Sequence, residues 1–189
     1  ILRYTIDVQR NILGPDHPNT LTAQSNLASI LTDQGKYAEA EDVYRSTIDT
    51  ENHVLGPEHP DTLITQSGLA SVLIHQDKFD EAEVIIRSTL DAKRRVLGPE
   101  HPDTLVSRNH LADVLSEQGN YAEAEEINRF TLEAYMRVLG PEHPDTLRSQ
   151  NNLATVFRMR GKYTEAITLY RTTLDAMNRV LGPDHPRTQ

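Results

Sequence analysis

The chain has 189 residues, 37% of them hydrophobic and 5% aromatic, and Asp plus Glu outnumber Lys plus Arg by 28 to 19, a net charge of −9. That balance argues against a general nucleic-acid or anionic-membrane surface, because phosphate binding requires clustered positive charge. No run approaches the roughly 18 apolar residues of a membrane span, and the absence of cysteine removes disulfides, thiolate metal sites and cysteine nucleophiles.

The first residues, Ile1-Leu2-Arg3-Tyr4, read as the interior of a helix rather than a natural start. We therefore expect a piece of a longer protein, and its lack of a signal peptide decides nothing. This helix runs into Leu13-Gly14-Pro15-Asp16-His17-Pro18, a string that returns, with Asp or Glu at its fourth place, from Leu55, Leu97, Leu139 and Leu181. Each copy starts 42 residues after the last. A fixed period in that range marks stacked copies of one supersecondary unit, each completing its neighbour's core.

After the first connector, Leu21, Leu27, Ala28, Ile30 and Leu31 form an apolar stripe with Ala23 beside it, and the spacing fits a helical period. Asn19-Thr20 is the expected cap, since a short side-chain oxygen can accept from the open N–H groups of a first turn. Gly35 closes this helix A in the left-handed conformation. Helix B follows, with Tyr37, Ala40, Val43, Tyr44, Thr47, Ile48 and Val54 at steps of three and four, and stops at Leu55-Gly56-Pro57. The two-residue link Gly35-Lys36 makes the pair antiparallel, with helices of about 15–18 residues, or ~22–27 Å. Leu27-Ala28 returns as Leu69-Ala70, Leu111-Ala112 and Leu153-Ala154, and Tyr37 as Phe79, Tyr121 and Tyr163. Ala28, Ala40 and their equivalents are expected to be close-packing positions. Asp77 stands where the other inter-helix turns have Gly, a less comfortable choice.

Leu-Ala, then Gly, then an aromatic followed three residues later by Ala, resembles the signature of tetratricopeptide repeats. The usual period of that family is about 34 residues; the 42-residue period and the Leu-Gly-Pro-(Asp/Glu)-His-Pro-Asp-Thr-Leu connector are similar to the subclass in kinesin light chains. Arrays of this kind also form sensor regions of some nucleotide-binding signalling proteins. The resemblance implies an all-α, right-handed α-solenoid of antiparallel helix pairs, the tetratricopeptide superhelix. As one solenoid fragment over 1–189, it would hold the second helix of a truncated unit at 1–13 and full units at 14–55, 56–97, 98–139 and 140–181. The start of a further unit would lie at 182–189. Both ends would expose apolar surface, which makes end-to-end self-association of the fragment an expectation. The family's large aromatic early in helix A is missing: Gln24, Gln66, Arg108 and Gln150 stand there.

The ladder His17, His59, His101, His143 and His185 invites a metal or acid–base reading. Equivalent corners of stacked helix pairs lie about 10 Å apart, whereas zinc ligands converge within ~2.0–2.3 Å of one point. The histidines are expected to fix the connector. Glu41–Arg45, Glu83–Arg87 and Glu125–Arg129 sit four apart and read as solvated or groove-edge helix pairs; Ile167 leaves Arg171 without such an acid. No nucleophile has a local base, so neither an enzyme nor a cofactor is expected.

The resemblance places helix A on the concave groove, so partner-binding residues are carried onto it. In the first unit these are Asn26, Ser29 and Asp33; in the second Ile64, Ser67, Ser71 and His75. The third presents Val106, Asn109, His110 and Asp113, and the fourth Arg148, Asn151, Asn152 and Thr155. Core positions repeat almost unchanged while these vary, as a fixed scaffold with a tailored surface requires. Asn26, Asn109, Asn151 and Asn152 resemble an asparagine ladder, since a carboxamide can both donate to and accept from a peptide backbone; Gly68 interrupts it. The expected function is a cytoplasmic protein–protein interaction module, of adaptor or cargo-recognition type, binding a protein or peptide segment in that groove. A sensor or self-association domain of a nucleotide-binding signalling protein is the alternative. Neither nucleic acid nor membrane is an expected partner.

Overall fold

The computed structural model describes residues 2–182; His185 and the rest of 183–189 lie outside the described residues. Two compact bodies divide the chain, Ile1–Val96 and Leu97–Gln189. Among the described residues every regular element is a helix. The first body holds α1 (Leu2–Leu13), α2 (Pro18–Asp33), α3 (Tyr37–Val54), α4 (Pro60–His75) and α5 (Phe79–Val96). Each packs against its neighbour in the chain, and α2 also touches α4. The second holds α6 (Pro102–Glu117), α7 (Tyr121–Val138), α8 (Pro144–Met159) and α9 (Tyr163–Leu181), with the same neighbour packing and a further contact of α6 with α8. Within each body the architecture is a row of antiparallel helix pairs.

The core follows the apolar stripes. Leu21, Leu63, Leu105 and Leu147, one per helix A, are all buried. Ala28, Ala70, Ala112 and Ala154 on the A helices, and Ala40, Ala82, Ala124 and Ala166 on the B helices, are likewise sealed from solvent. A side chain of one carbon lets two helix backbones approach closely, so a larger residue there would overpack the contact at about 1–3 kcal/mol.

The connector is where the structure corrects the expected cap. The A helices begin at Pro18, Pro60, Pro102 and Pro144, and the preceding histidine is the N-cap. His17, His59, His101 and His143 have extended backbone, and each Nδ1 accepts the N–H of the residue two further on at 3.2 Å. Proline suits the first helical position because its missing N–H would be unpaired there and its φ is already helical. Asn19 and Thr20 are therefore inside the first turn. Thr20, Thr62, Thr104 and Thr146 are buried and donate their hydroxyls to the carbonyls of Gly14, Gly56, Gly98 and Gly140 at 2.7–3.0 Å. Those glycines have φ of +90° to +99°, a conformation a Cβ would strain. Glycine turns the chain, proline and histidine restart it, and threonine ties the restart to the turn. At the inter-helix turn of the second repeat Asp77 adopts φ 58°, where the equivalent positions have glycine.

Candidate functional site

On the A helices of the first body, Asn26, Ser29 and Asp33 of α2 are exposed, as is His75 of α4, whose ring meets that of Tyr37 edge-on with centroids 5.1 Å apart. Ile64 is 61% exposed, a large apolar side chain on a face otherwise polar. Ser67 and Ser71 are half-buried. The Ser67 hydroxyl donates to the Leu63 carbonyl at 2.7 Å and accepts from the buried Lys93 ammonium at 2.9 Å. Gly68 breaks the asparagine ladder for a packing reason. A Cβ there would lie 2.5 Å from the buried Tyr44 ring.

Behind that face lies a polar junction that helical periodicity did not reveal. The Thr65 hydroxyl of α4 is 3.1 Å from Oε1 of Glu51 on α3 and 3.2 Å from Oγ of Ser25 on α2. Glu51 is 1% exposed, and burial raises its carboxyl pKa while the Thr65 hydrogen bond opposes the shift. The signal was present: Glu51 falls three residues after Ile48 on the apolar stripe of helix B, where a solvated acid has no place.

In the second body, Val106 and His110 of α6 are half-buried and Asp113 is exposed. Asp113 reaches solvent, yet the protein around it hydrates the charged form poorly; that crowding raises its carboxyl to about 6, with Arg148 opposing and Glu117 adding to the shift. Arg148 of α8 is exposed and pairs with Asp145 at 3.0 Å. Asn151 is exposed, and Asn152 and Thr155 are half-buried, with Thr155 Oγ1 2.8 Å from the Tyr170 hydroxyl. Asn109 departs from the expected ladder: it is 4% exposed, so its amide does not stand in open solvent. The neighbours that bury it come from packing, which the spacing along α6 cannot show.

The helix A positions that lack the family aromatic are used for cross-helix bonds. Thr47, Thr89 and Thr173 donate to Gln24, Gln66 and Gln150 at 2.9–3.2 Å. In the third repeat Arg108 lies over the Phe130 ring at 4.1 Å instead, a cation–π contact.

The carboxylates of the B helices are also more than local pairs. Glu41 meets Arg45 of its own helix and Lys78 of the next repeat, both at 2.8 Å, and its carboxyl is lowered, first by the Lys78 hydrogen bond. Glu125 is buried and holds three cations, Arg160 at 2.6 Å, Lys162 at 2.8 Å and Arg129 at 2.9 Å. Burial raises its carboxyl, but the bonds from Lys162, Arg129 and Arg160 outweigh it and bring the pKa down to about 2. The expectation of a solvated pair is corrected here, because the decisive partners lie 35 and 37 residues away and no helix-face rule reaches them.

Among the described residues, no group of three His, Asp or Glu side chains could hold a metal ion, and no helix is long and apolar enough to cross a membrane. A family profile described as Tetratricopeptide repeat matches residues 4–51, 22–94, 61–129, 106–177 and 150–188. Among solved structures, a Podosopora anserina protein with nearly identical TPR-like repeats, described as a putative kinesin light chain, is similar in a form that carries one substitution. It is 26% identical with a TM-score of 0.85, over 95% of this chain and 85% of that one. The same protein without that substitution gives 26% identity and a TM-score of 0.82, over 94% and 84%. BtubC (BKLC) from P. vanneervenii shares the fold at 19% identity and a TM-score of 0.80, over 90% of this chain and 68% of that one. No curated protein matches the chain.

Proposed function

The chain belongs to the tetratricopeptide repeat family, whose members are generally non-enzymatic protein–protein interaction scaffolds, and from that premise we propose that it is a cytoplasmic adaptor or cargo-recognition segment. It captures an extended or helical protein segment along its A-helix faces. One observation carries this reading. Leu21, Ala28, Ala40 and their equivalents are identical in every full repeat and buried in all of them, while the face positions differ from repeat to repeat and stay exposed or half-buried, apart from Asn109. Packing explains the constancy of the first set and reaches only part of the second, as in Ser67 with Lys93 and Thr155 with Tyr170.

The face chemistry suits a peptide. The Asn151 and Asn152 amides can donate to and accept from a backbone whatever its side chains, and Ile64, 61% exposed, offers an apolar contact beside them in sequence register. The test is a titration of proteins captured from a cell extract against three forms of the chain. Asn151→Ala with Asn152→Ala should weaken a segment held by the second body by about 5- to 100-fold, at ~0.5–1.5 kcal/mol per neutral hydrogen bond. Ile64→Ser should weaken one held by the first, and Glu126→Ala, on the exposed side of α7, should change neither. Loss of binding in Glu126→Ala alone would move the site to the B helices.

A further inference from the structure

A cleft of about 420 Å³ opens in the first body, within the size range of natural ligand clefts. Its floor is Gln66 and Leu69 of α4, and its walls are Ile48 and Asp49 of α3 and Val84 and Ile85 of α5. Because α4 packs on both α3 and α5, the three helices form a trough. At about 100° per residue, Leu69 points away from Ile64, Ser67 and Ser71, so the trough is not the A-helix face. In the second body the counterparts of Ile48 and Ile85, Leu132 and Leu169, pack against the cluster of Leu153 and Phe157. Phe157 stands where the first body has the smaller Leu73. Val84 is 69% exposed, and the other repeats carry Asp42, Glu126 and Thr168 at its position. Packing of the repeat therefore does not call for a hydrocarbon there.

We propose that this cleft docks an amphipathic helix of a partner protein, through one large apolar side chain and a lysine or arginine one turn away from it. The site is separate from the A-helix face and does not depend on the reading given for that face.

The side-chain ridge of one helix seats in the groove between two others, and an apolar face laid into such a groove is a recurrent way of holding a partner helix. Here the guest's apolar side chain meets Ile48, Leu69, Val84 and Ile85, and its removal from water supplies the attraction. Gln66 accepts the Thr89 hydroxyl at 3.1 Å through one carboxamide atom. The other has no partner among the described residues and is left for a polar group of the guest. Charge decides what stands beside the apolar group. Arg45, also on the wall, is already held by Glu41 at 2.8 Å and by Glu81 at 2.7 Å, and Lys78 takes the other oxygen of Glu41. Those four charges balance. Asp49 is exposed and has no ion pair or hydrogen bond among the described residues. It is the uncompensated charge of the cleft, next in the chain to Ile48, so a cation beside the apolar group is favoured and an acid is repelled. Residues three or four apart share one helix face, which sets the spacing of the pair.

The experiment pans a displayed library of single helices, randomised on one face, on the chain and measures the isolated peptides by fluorescence anisotropy. The variants are Val84→Asn, a neutral match to Asp42 of the first repeat, and Asp49→Asn. Both positions are exposed, and circular dichroism checks that both variants fold. The expected result is a set of peptides sharing a large apolar residue with Lys or Arg three or four positions away. Their binding falls at least about fivefold on Val84→Asn, the loss of an apolar contact, and about two- to fivefold on Asp49→Asn, the loss of an exposed ion pair. Thr168→Asn, the same change at the same register of the second body, leaves it unaltered. Replacing the basic residue by glutamine costs as much as Asp49→Asn on the native chain and nothing further on that variant. No enrichment, peptides that respond to Ile64→Ser but not to Val84→Asn, or an equal glutamine penalty on native and Asp49→Asn chains would overturn the proposal. A native dimer that Val84→Asn dissolves would give the cleft to a second copy and overturn it too.

Discussion

The two bodies place different chemistry on equivalent backbone, and the difference separates what a repeat enforces from what it permits. Thr65 bonds Ser25 and one carboxylate oxygen of Glu51 in residues 1–96, with Glu51 Oε2 left over; Asn109 and Ser149, at the same register in residues 97–189, form no such bond, and the Tyr135 hydroxyl faces Arg148. On the B helices the contrast runs the other way. Glu41 holds two cations, whereas its counterpart Glu125 is more deeply buried and holds three. Helix packing fixes which side chains meet, and the residues chosen decide whether the meeting is closed within the chain.

The largest test of that contrast removes the two carboxylates. Glu125→Ala should cost about 2–3 kcal/mol and Glu41→Ala about 1 kcal/mol, because Glu125 is the more buried acid and holds three cations where Glu41 holds two. Urea unfolding at pH 7 compares them, and equal costs would dissolve the distinction. The pH dependence has a defined sign. The folded carboxyl of Glu125 lies at about 2, below the unfolded value of roughly 4.3, so its stabilisation is present above about pH 4.3 and is lost as pH falls through 2. The gap between native and Glu125→Ala should close across that window.

A middle-sized effect is expected where the asparagine ladder breaks. Gly68→Ala gains up to about 1 kcal/mol of helix propensity, but its Cβ meets the ring of the buried Tyr44 at 2.5 Å, and overpacking of about 1–3 kcal/mol makes the net change destabilising. Asn152→Ala, at the same register in the second body, should stay within about 0.5 kcal/mol. A Gly68→Ala chain as stable as the native one would show that Tyr44 moves aside.

The smallest effect has the opposite sign. Asp113 has a folded carboxyl raised to about 6, above its unfolded value of roughly 3.9. Its neutral form is favoured by folding, and that contribution is full below about pH 3.9 and lost as pH rises through 6. Asp113→Asn should therefore raise the unfolding free energy slightly at about pH 7.5, by under about 0.5 kcal/mol once solvent screening is allowed for, and have no effect at about pH 3.5. A destabilised Asp113→Asn at the higher pH would mean that Arg148, not crowding, controls the carboxylate.

Periodicity alone placed Leu21, Ala28, Ala40 and their equivalents in the core, because a stripe at helical spacing on a repeating unit has one face to bury. The connector was legible as punctuation but not in its detail. Pro18 marks the helix start, yet only the folded turn shows that His17, rather than Asn19, accepts the capping N–H. The helix A face was legible as the variable part of the repeat. Asn109 differs from the rest of that face in being 4% exposed, because its burial comes from packing rather than from its spacing along α6.

The sequence by itself determined the period, the helix pairs, the turns that join them and the tight alanine contacts, since each of these rests on neighbours within a few residues or on an identical unit 42 residues away. Tertiary structure alone decided the junction at Glu51, the three-cation hold on Glu125, the clash that reserves position 68 for glycine and the burial of Tyr135. Those depend on side chains from separate helices meeting at a few ångströms, and the energy of such a meeting is set by distance and dielectric, neither of which is written along the chain.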